Sequence, residues 1–203
     1  MIEYRLYRNK ENQGGRWNKL KEKISNLLTG SPCNHVLYSY HDRKRYLENA
    51  MAYILEGIET GDSVVLIENE RNLNELLNRL NDLLTSKQLK KIHVISNFDF
   101  YQSSGSYHPP AIYEQLTKSI NPFLENDISF RSWTNVEWGR LEDPAPIIEW
   151  FEKETDKAVH EHNLTIVCAY EAARMPDHLE EALKKSHGHV MSDEDIVPST
   201  VYS

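Results

Sequence analysis

The sequence predicts an α/β protein, a three-layer α/β/α sandwich around a mostly parallel sheet of five or six strands. Two observations carry that expectation. Short runs rich in β-branched residues alternate with amphipathic stretches five times between Cys33 and Ser186, and five β-α units in a row imply parallel strands joined by right-handed helical crossovers. The run Val64-Val65-Leu66-Ile67 is apolar at every position, as in a strand covered on both faces. A length of 203 residues suits one such domain, or one with an appendage, and is enough to bury a sizeable core.

The elements follow in order. Trp17, Leu20, Ile24, Leu27 and Leu28 share one face of a helix that stops at Thr29-Gly30-Ser31-Pro32, and Gln13-Gly14-Gly15 is expected to break the segment before it. Asn34 to Tyr40 reads as strand 1. Asp42 is placed to cap a helix that carries Tyr46, Ala50, Tyr53, Ile54 and Ile58 and stops at Gly61. Ser63 to Glu68 is strand 2, Asn72 to Leu84 a leucine-rich helix, and Lys91 to Ser96 strand 3. Asn97 to Pro110, with three aromatics, Gly105 and paired prolines, reads as a structured loop or lid. Pro110 opens a helix that Pro122 kinks or ends; Ile128 to Val136 is strand 4, and Pro146 starts the next helix. The stretch Leu164 to Gly188 closes the domain as a buried strand, a turn at Met175-Pro176-Asp177, a helix from His178 to Ser186 capped by Asp177, and then His187. Gly188 to Ser192 offers a short sixth strand.

Charge divides the chain. Residues 1–30 hold seven basic side chains against Glu3, Glu11 and Glu22, while the whole chain carries a net charge of -8. We read 1–30 as a basic amphipathic helical segment, 31–192 as the main domain and 193–203 as a C-terminal tail. The acidic body argues against direct nucleic-acid binding. No run reaches membrane-spanning length and the N-terminus lacks the apolar core of a signal peptide, so a cytoplasmic location is expected. Cys33 and Cys168 do not resemble a disulfide framework.

Open α/β sheets bind ligands beyond the carboxyl ends of their strands. Those ends read Tyr38 to Tyr40, Glu68-Asn69, Asn97 to Asp99, Glu137-Trp138 and Tyr170-Glu171, a set rich in aromatics with a few polar groups. A phosphate cradle needs glycines so that backbone N–H groups can converge on the anion. The first β-α turn, Ser39-Tyr40-His41-Asp42-Arg43-Lys44-Arg45-Tyr46, has none. His35, Cys168 and His187 include no close pair at a usual metal spacing, and His160-x-His162 and His187-x-His189 read as surface pairs, so no metal and no cofactor is expected. A mid-strand Cys168 should be a poorly solvated, protonated thiol rather than a nucleophile. Tyr170 and Glu171, at the strand end, are expected to face solvent or ligand more than Cys168 does.

From Cys33 to Val190 the chain resembles the MEDS domain, a prokaryotic sensory domain named for methanogen and methylotroph regulators. The resemblance rests on His35-Val36-Leu37-Tyr38-Ser39-Tyr40, on Gly57 and Gly61-Asp62-Ser63-Val64-Val65-Leu66-Ile67, on Glu137-Trp138, and on Cys168-Ala169-Tyr170-Glu171 followed by Pro176 and His187. Gly188 stands where the family usually has proline, and Glu171 where aspartate is common. The resemblance implies a RecA/KaiC-like fold that has lost its phosphate loop, and a role in sensing small hydrocarbon derivatives through a signalling or DNA-binding partner. The resulting expectation is a non-catalytic sensory domain in 31–192 that binds a small organic ligand through His35, Tyr40, Glu137, Trp138, Cys168, Tyr170, Glu171 and His187. His35 and His187 enter that set mainly through the resemblance. The expected partners are that ligand and a signalling protein, with a homodimer as an open alternative. The rival readings are a cysteine- or metal-dependent enzyme and a protein-interaction module with a vestigial pocket.

Overall fold

The computed structural model describes residues 11–31, 33–102, 108–138 and 144–203. Seven strands form one sheet: β1 (Asn34–Tyr40), β2 (Ser63–Glu68), β3 (Ile92–Ser96), β4 (Phe130–Asn135), β5 (Thr165–Glu171), β6 (His189–Met191) and β7 (Ile196–Pro198), in the order β3-β2-β4-β5-β1-β6-β7. All pairs are parallel except β6 with β7. The expected mostly parallel sandwich is present, with a seventh, antiparallel strand that the tail contributes.

The helices are α1 (Glu11–Gly30), α2 (Arg43–Thr60), α3 (Glu70–Leu83), α4 (Ser86–Leu89), α5 (Asn97–Gln102), α6 (Pro109–Glu125), α7 (Ala145–His162) and α8 (Asp177–Ser186). Strand alternation sorts the core into two halves. Val36, Tyr38, Val64, Leu66, Trp133, Val167 and Ala169 face α1, α2 and α3. Leu37, Val65, Ile67, Ile166, Cys168 and Tyr170 face α5, α6, α7 and α8. No described helix is long and apolar enough to cross a membrane.

Local chemistry sets most boundaries. The Asp42 side chain accepts from Arg45 N at 2.8 Å and starts α2; Gly61 ends it at φ 101°, a conformation that costs glycine little. Asn69 caps α3 by accepting from Asn72 N at 3.0 Å. Four expectations need correction. α1 runs through Gly14 and Gly15 without a break; two glycines cost about 2 kcal/mol of helix propensity, and burial of Leu20, Ile24 and Leu27 against α2 outweighs it. α6 continues past Pro122, because a proline in the last turn removes only one helical hydrogen bond. Asp177 is the first residue of α8, and Pro176 holds the cap position. Asn97 to Gln102 is helix rather than loop; the remainder of the expected lid, 103–107, lies outside the described residues.

The last eleven residues are knitted into the domain. Ser199 N donates to Gly188 O at 2.9 Å, and Tyr202 OH donates to Asp156 Oδ2 at 3.1 Å. We propose that residues 31–203 form the folding unit and that α1 is a docked addition. A chain starting at Ser31 is then expected to fold with an unchanged circular dichroism signature of the sheet. It should melt earlier, since the α2 surface under Leu20, Ile24 and Leu27 returns to water at about 25 cal/mol per Å2. A chain that fails to fold would make α1 integral to the core.

Candidate functional site

Four chemistry-bearing side chains meet inside the half of the core under α7 and α8. β1 and β5 are neighbours, with His35 opposite Ile166 and Leu37 opposite Cys168. Alternation aims His35, Cys168 and Tyr170 at the same layer of helices. Glu152 comes down from α7, whose inner face is otherwise Ile148, Phe151, Thr155 and Val159. His187 closes α8 and is fully buried. One ligating atom each from His35, Glu152, Cys168 and His187 lies within 4.8 Å of the others.

The hydrogen bonds assign the protons. Nδ1 of His187 is 2.8 Å from Leu183 O, and a carbonyl only accepts, so Nδ1 carries the hydrogen. Its Nε2 then presents a bare lone pair, 3.5 Å from Glu152 Oε2 and without a hydrogen-bond partner among the described residues. Nδ1 of His35 is 2.8 Å from Ser186 O and 3.1 Å from Asp156 Oδ1 and donates in the same way. Its Nε2 is 3.1 Å from Glu152 Oε2 and 3.6 Å from Cys168 Sγ. Tyr170 OH donates to Glu152 Oε1. The two imidazoles stack with centroids 3.8 Å apart.

Ionisation follows from these contacts. Burial opposes charge on His35, but Asp156 and Glu152 outweigh it and push its imidazole up to about 9. Burial and the adjacent His35 hold His187 below the ordinary histidine value. Burial would raise Glu152, yet the two histidines packed against it hold it well below the usual carboxylate range. Burial, reinforced by Glu152, pushes the Cys168 thiol well up. Without another cation the cluster therefore consists of an imidazolium, a carboxylate, a neutral imidazole and a thiol.

A second group of polar residues lies at the carboxyl edge. Glu68, buried at the end of β2, accepts from Tyr46 OH, from Asn69 N at 2.8 Å and from Asn72 Nδ2 at 3.2 Å. Trp133 Nε1 and Asn135 Nδ2 donate to the Tyr46 oxygen at 2.9 and 3.2 Å. Burial pushes Glu68 up to about 7, against the pull of these donors and with help from Glu137. Burial also pushes Tyr40 up to about 12, opposed by Asn135 and reinforced by Glu171, Glu68 and Glu137. Beside this group a cleft of about 500 Å3 is lined by Asn69, Glu70, Ser96, Asn97, Phe98, Tyr101 and Glu137. Asn69 Nδ2 donates to Glu137 Oε1 at 3.1 Å on its wall. Asn97 is buried there, and neither atom of its amide has a hydrogen-bond partner among the described residues.

The β1–α2 turn is already satisfied from within the chain. The Asp193 carboxylate accepts from His41 N and Asp42 N, both at 3.2 Å, and from Tyr38 OH at 2.8 Å. An internal carboxylate thus holds backbone N–H groups at the place where a phosphate cradle would present them.

The eight residues named from sequence fall into three places. His35, Cys168, Tyr170 and His187 share the sealed cluster. Tyr40 lies on the opposite face of the sheet, against Tyr46 at 4.4 Å, and Glu171 pairs with it in register and is exposed. Glu137 lines the cleft, and Trp138 packs behind it, 6.2 Å from the Tyr170 ring and under the Arg174 guanidinium at 5.2 Å. Tyr170 does not face solvent: it is fully buried, because it shares Cys168's face beneath the helices. The missing close pairs that spoke against a metal do not keep these groups apart, because four separate elements, β1, α7, β5 and α8, bring them together. Sequence reasoning missed Glu152 and Asp156; it placed Glu68 and Asn97 at the carboxyl edge but left both out of the ligand set. For Glu152 a signal existed: a carboxylate set among Ile148, Thr155 and Val159 on the apolar face of a helix.

Residues 34–187 match the protein family described as MEDS, the methanogen/methylotroph, DcmR sensory domain. No curated protein matches. Among solved structures, a KaiC-like protein from Pyrococcus horikoshii OT3 superposes with a TM-score of 0.52 at 17% identity, covering 80% of this chain and 71% of the other. An ATPase domain superposes with a TM-score of 0.51 at 9% identity, covering 80% of this chain and 69% of the other. At these identities the likeness is one of fold: this chain has a RecA/KaiC-like fold.

Proposed function

The chain belongs to the MEDS family of sensory domains, and from that membership we propose a non-catalytic cytoplasmic sensor. It binds a small organic molecule at the carboxyl ends of β2, β3 and β4 and signals through a protein partner. The observation that carries this reading is Asn97. A buried amide without partners costs on the order of 1–3 kcal/mol; this one has none among the described residues and borders a cleft large enough for a small ligand. Phe98, 74% exposed at the rim, and Tyr101 supply apolar and aromatic surface. A ligand with an apolar body and one polar group, such as a short alcohol or amide, matches that lining.

Nucleotide is not the expected ligand. The turn that would hold its phosphates has no glycine, and its N–H groups are taken by Asp193.

The test is a thermal-shift and calorimetry panel of short alcohols, amides and halogenated hydrocarbons, with magnesium-ATP as a further member. At least one organic compound is expected to raise the melting temperature; binding at a hundredfold excess over Kd adds about 2.7 kcal/mol. Asn97→Leu should weaken it by roughly tenfold or more, and magnesium-ATP should give no heat. A panel without effect, or an affinity unchanged in Asn97→Leu, overturns the cleft as the ligand site; micromolar ATP binding overturns the sensor reading.

A further inference from the structure

We infer that His35, Glu152, Cys168 and His187 form a closed, four-coordinate site for a divalent transition-metal ion, zinc by the character of its donors. The inference is independent of the ligand cleft and rests on the buried cluster alone.

The first argument is one of unpaired electron pairs. Main-chain carbonyls at Leu183 and Ser186 fix hydrogens on both Nδ1 atoms, so two Nε2 lone pairs and Glu152 Oε2 converge on one point. Three acceptors facing each other repel unless a cation stands between them. His35 can supply one as a proton, but that proton leaves the His187 lone pair buried and unpartnered among the described residues. A metal ion satisfies all three, and the Cys168 sulfur completes the set.

The second argument is geometric. Tetrahedral zinc with bonds of about 2.0–2.1 Å to nitrogen or oxygen and about 2.3 Å to sulfur sets its ligand atoms roughly 3.3–3.6 Å apart. Glu152 Oε2 lies 3.1 Å from His35 Nε2 and 3.5 Å from His187 Nε2, and Cys168 Sγ lies 3.6 Å from His35 Nε2. A small rearrangement that fans the stacked imidazoles apart aims both lone pairs at the centre.

The third argument is the surrounding shell. A metal-bound histidine usually donates its other N–H to a carbonyl or carboxylate, which fixes the tautomer. Leu183 O does this for His187, and Ser186 O with Asp156 does it for His35. Tyr170 OH holds the second oxygen of Glu152. Charge also balances: a divalent ion with one thiolate, one carboxylate and two neutral imidazoles is formally neutral, as a sealed interior demands. On binding, the Cys168 thiol proton and the proton on His35 leave for solvent, and the thiolate, imidazoles and carboxylate bond to the ion. Soft sulfur with two imidazoles selects zinc over magnesium or calcium. Every ligand is buried, so the ion is acquired as the chain folds.

The experiment uses the untagged full chain. Native mass spectrometry and elemental analysis of protein expressed with zinc are expected to find one zinc per chain. The protein is then unfolded with chelator and refolded with or without zinc chloride. Refolding with zinc should restore one ion per chain and raise the melting temperature. Refolding with cobalt should give visible ligand-field bands and a near-ultraviolet thiolate charge-transfer band. Cys168→Ser should abolish that charge-transfer band and weaken zinc retention by more than about tenfold. If Cys168→Ser does not fold, the wild-type cobalt spectrum still decides, since only thiolate ligation produces the band. Zinc-free protein that takes up no ion on refolding, or a cobalt spectrum without the charge-transfer band, overturns the site.

Discussion

Glu152→Ala is expected to remove on the order of 3–5 kcal/mol of folding stability, the cost of deleting one partner of a buried, hydrogen-bonded charge group. Glu152 accepts from His35 Nε2 and from the Tyr170 hydroxyl, and its Oε2 lies 3.5 Å from His187 Nε2. Alanine leaves the buried His35 imidazolium with Asp156 as its remaining counter-charge and a buried phenol without its acceptor. It also opens a cavity between α7 and β5. The loss does not depend on which cation, proton or metal, occupies the cluster. Urea denaturation should show the midpoint falling by more than about 1 M at the usual slope of about 1–3 kcal/mol/M. Glu152→Gln keeps an acceptor for Tyr170 and should lose less. Glu154→Ala is the control: its carboxylate pairs with Lys157 on the outer side of α7, and the change should stay within about 0.5 kcal/mol. A Glu152→Ala chain as stable as that control would mean that the cluster contributes nothing to the fold.

The second large effect is a pH dependence from Glu68. Burial raises its folded-state value from 4.5 to about 7. The folded chain therefore holds this proton more tightly than the unfolded chain does. Stability falls wherever the folded state binds more protons, so Glu68 lowers stability as pH rises from about 4.5 to about 7, and the penalty is fully present above that. At about 1.36 kcal/mol per pH unit the difference comes to roughly 3 kcal/mol. Gln at this position keeps one acceptor oxygen for Asn69 N and Asn72 Nδ2, turns its amide nitrogen toward the Tyr46 hydroxyl, and has no proton to lose. Relative to wild type, Glu68→Gln is expected to gain about that amount between pH 4 and pH 8, read from urea midpoints across the range. Comparing the two chains cancels the histidines that titrate in the same window. Parallel stability curves would show that the donors from Tyr46, Asn69 and Asn72 keep Glu68 an ordinary carboxylate.

Much of the fold was legible because the deciding forces are local. Val64 to Ile67 is apolar at every position because β2 is buried on both faces. Asp42 and Gly61 bound α2 through a side-chain cap and a left-handed residue, both readable within a few positions. Where local rules misled, tertiary packing had outweighed them. Gly14 and Gly15 sit inside α1 because its far half docks on α2. The C-terminal segment reads as a polar tail, yet it supplies β7 and the carboxylate of Asp193 because partners for both wait elsewhere.

The candidate site divides along the same line. The sequence by itself determined the identity of β1 to β6, the carboxyl edge where the cleft lies, the lack of glycine in the first β-α turn, and the burial of Cys168. Only the tertiary structure decided that Tyr40 and Cys168 lie on opposite faces of the sheet, and that His35, Glu152, Cys168 and His187 meet. His35 and Glu152 are 117 positions apart, and His35 and Cys168 are 133 apart. Their meeting depends on the parallel register of β1 with β5, on the rotation of α7 about its axis, and on the point where α8 ends. Each of these is set by long-range packing of apolar surfaces, which has no signature at any single position in the chain.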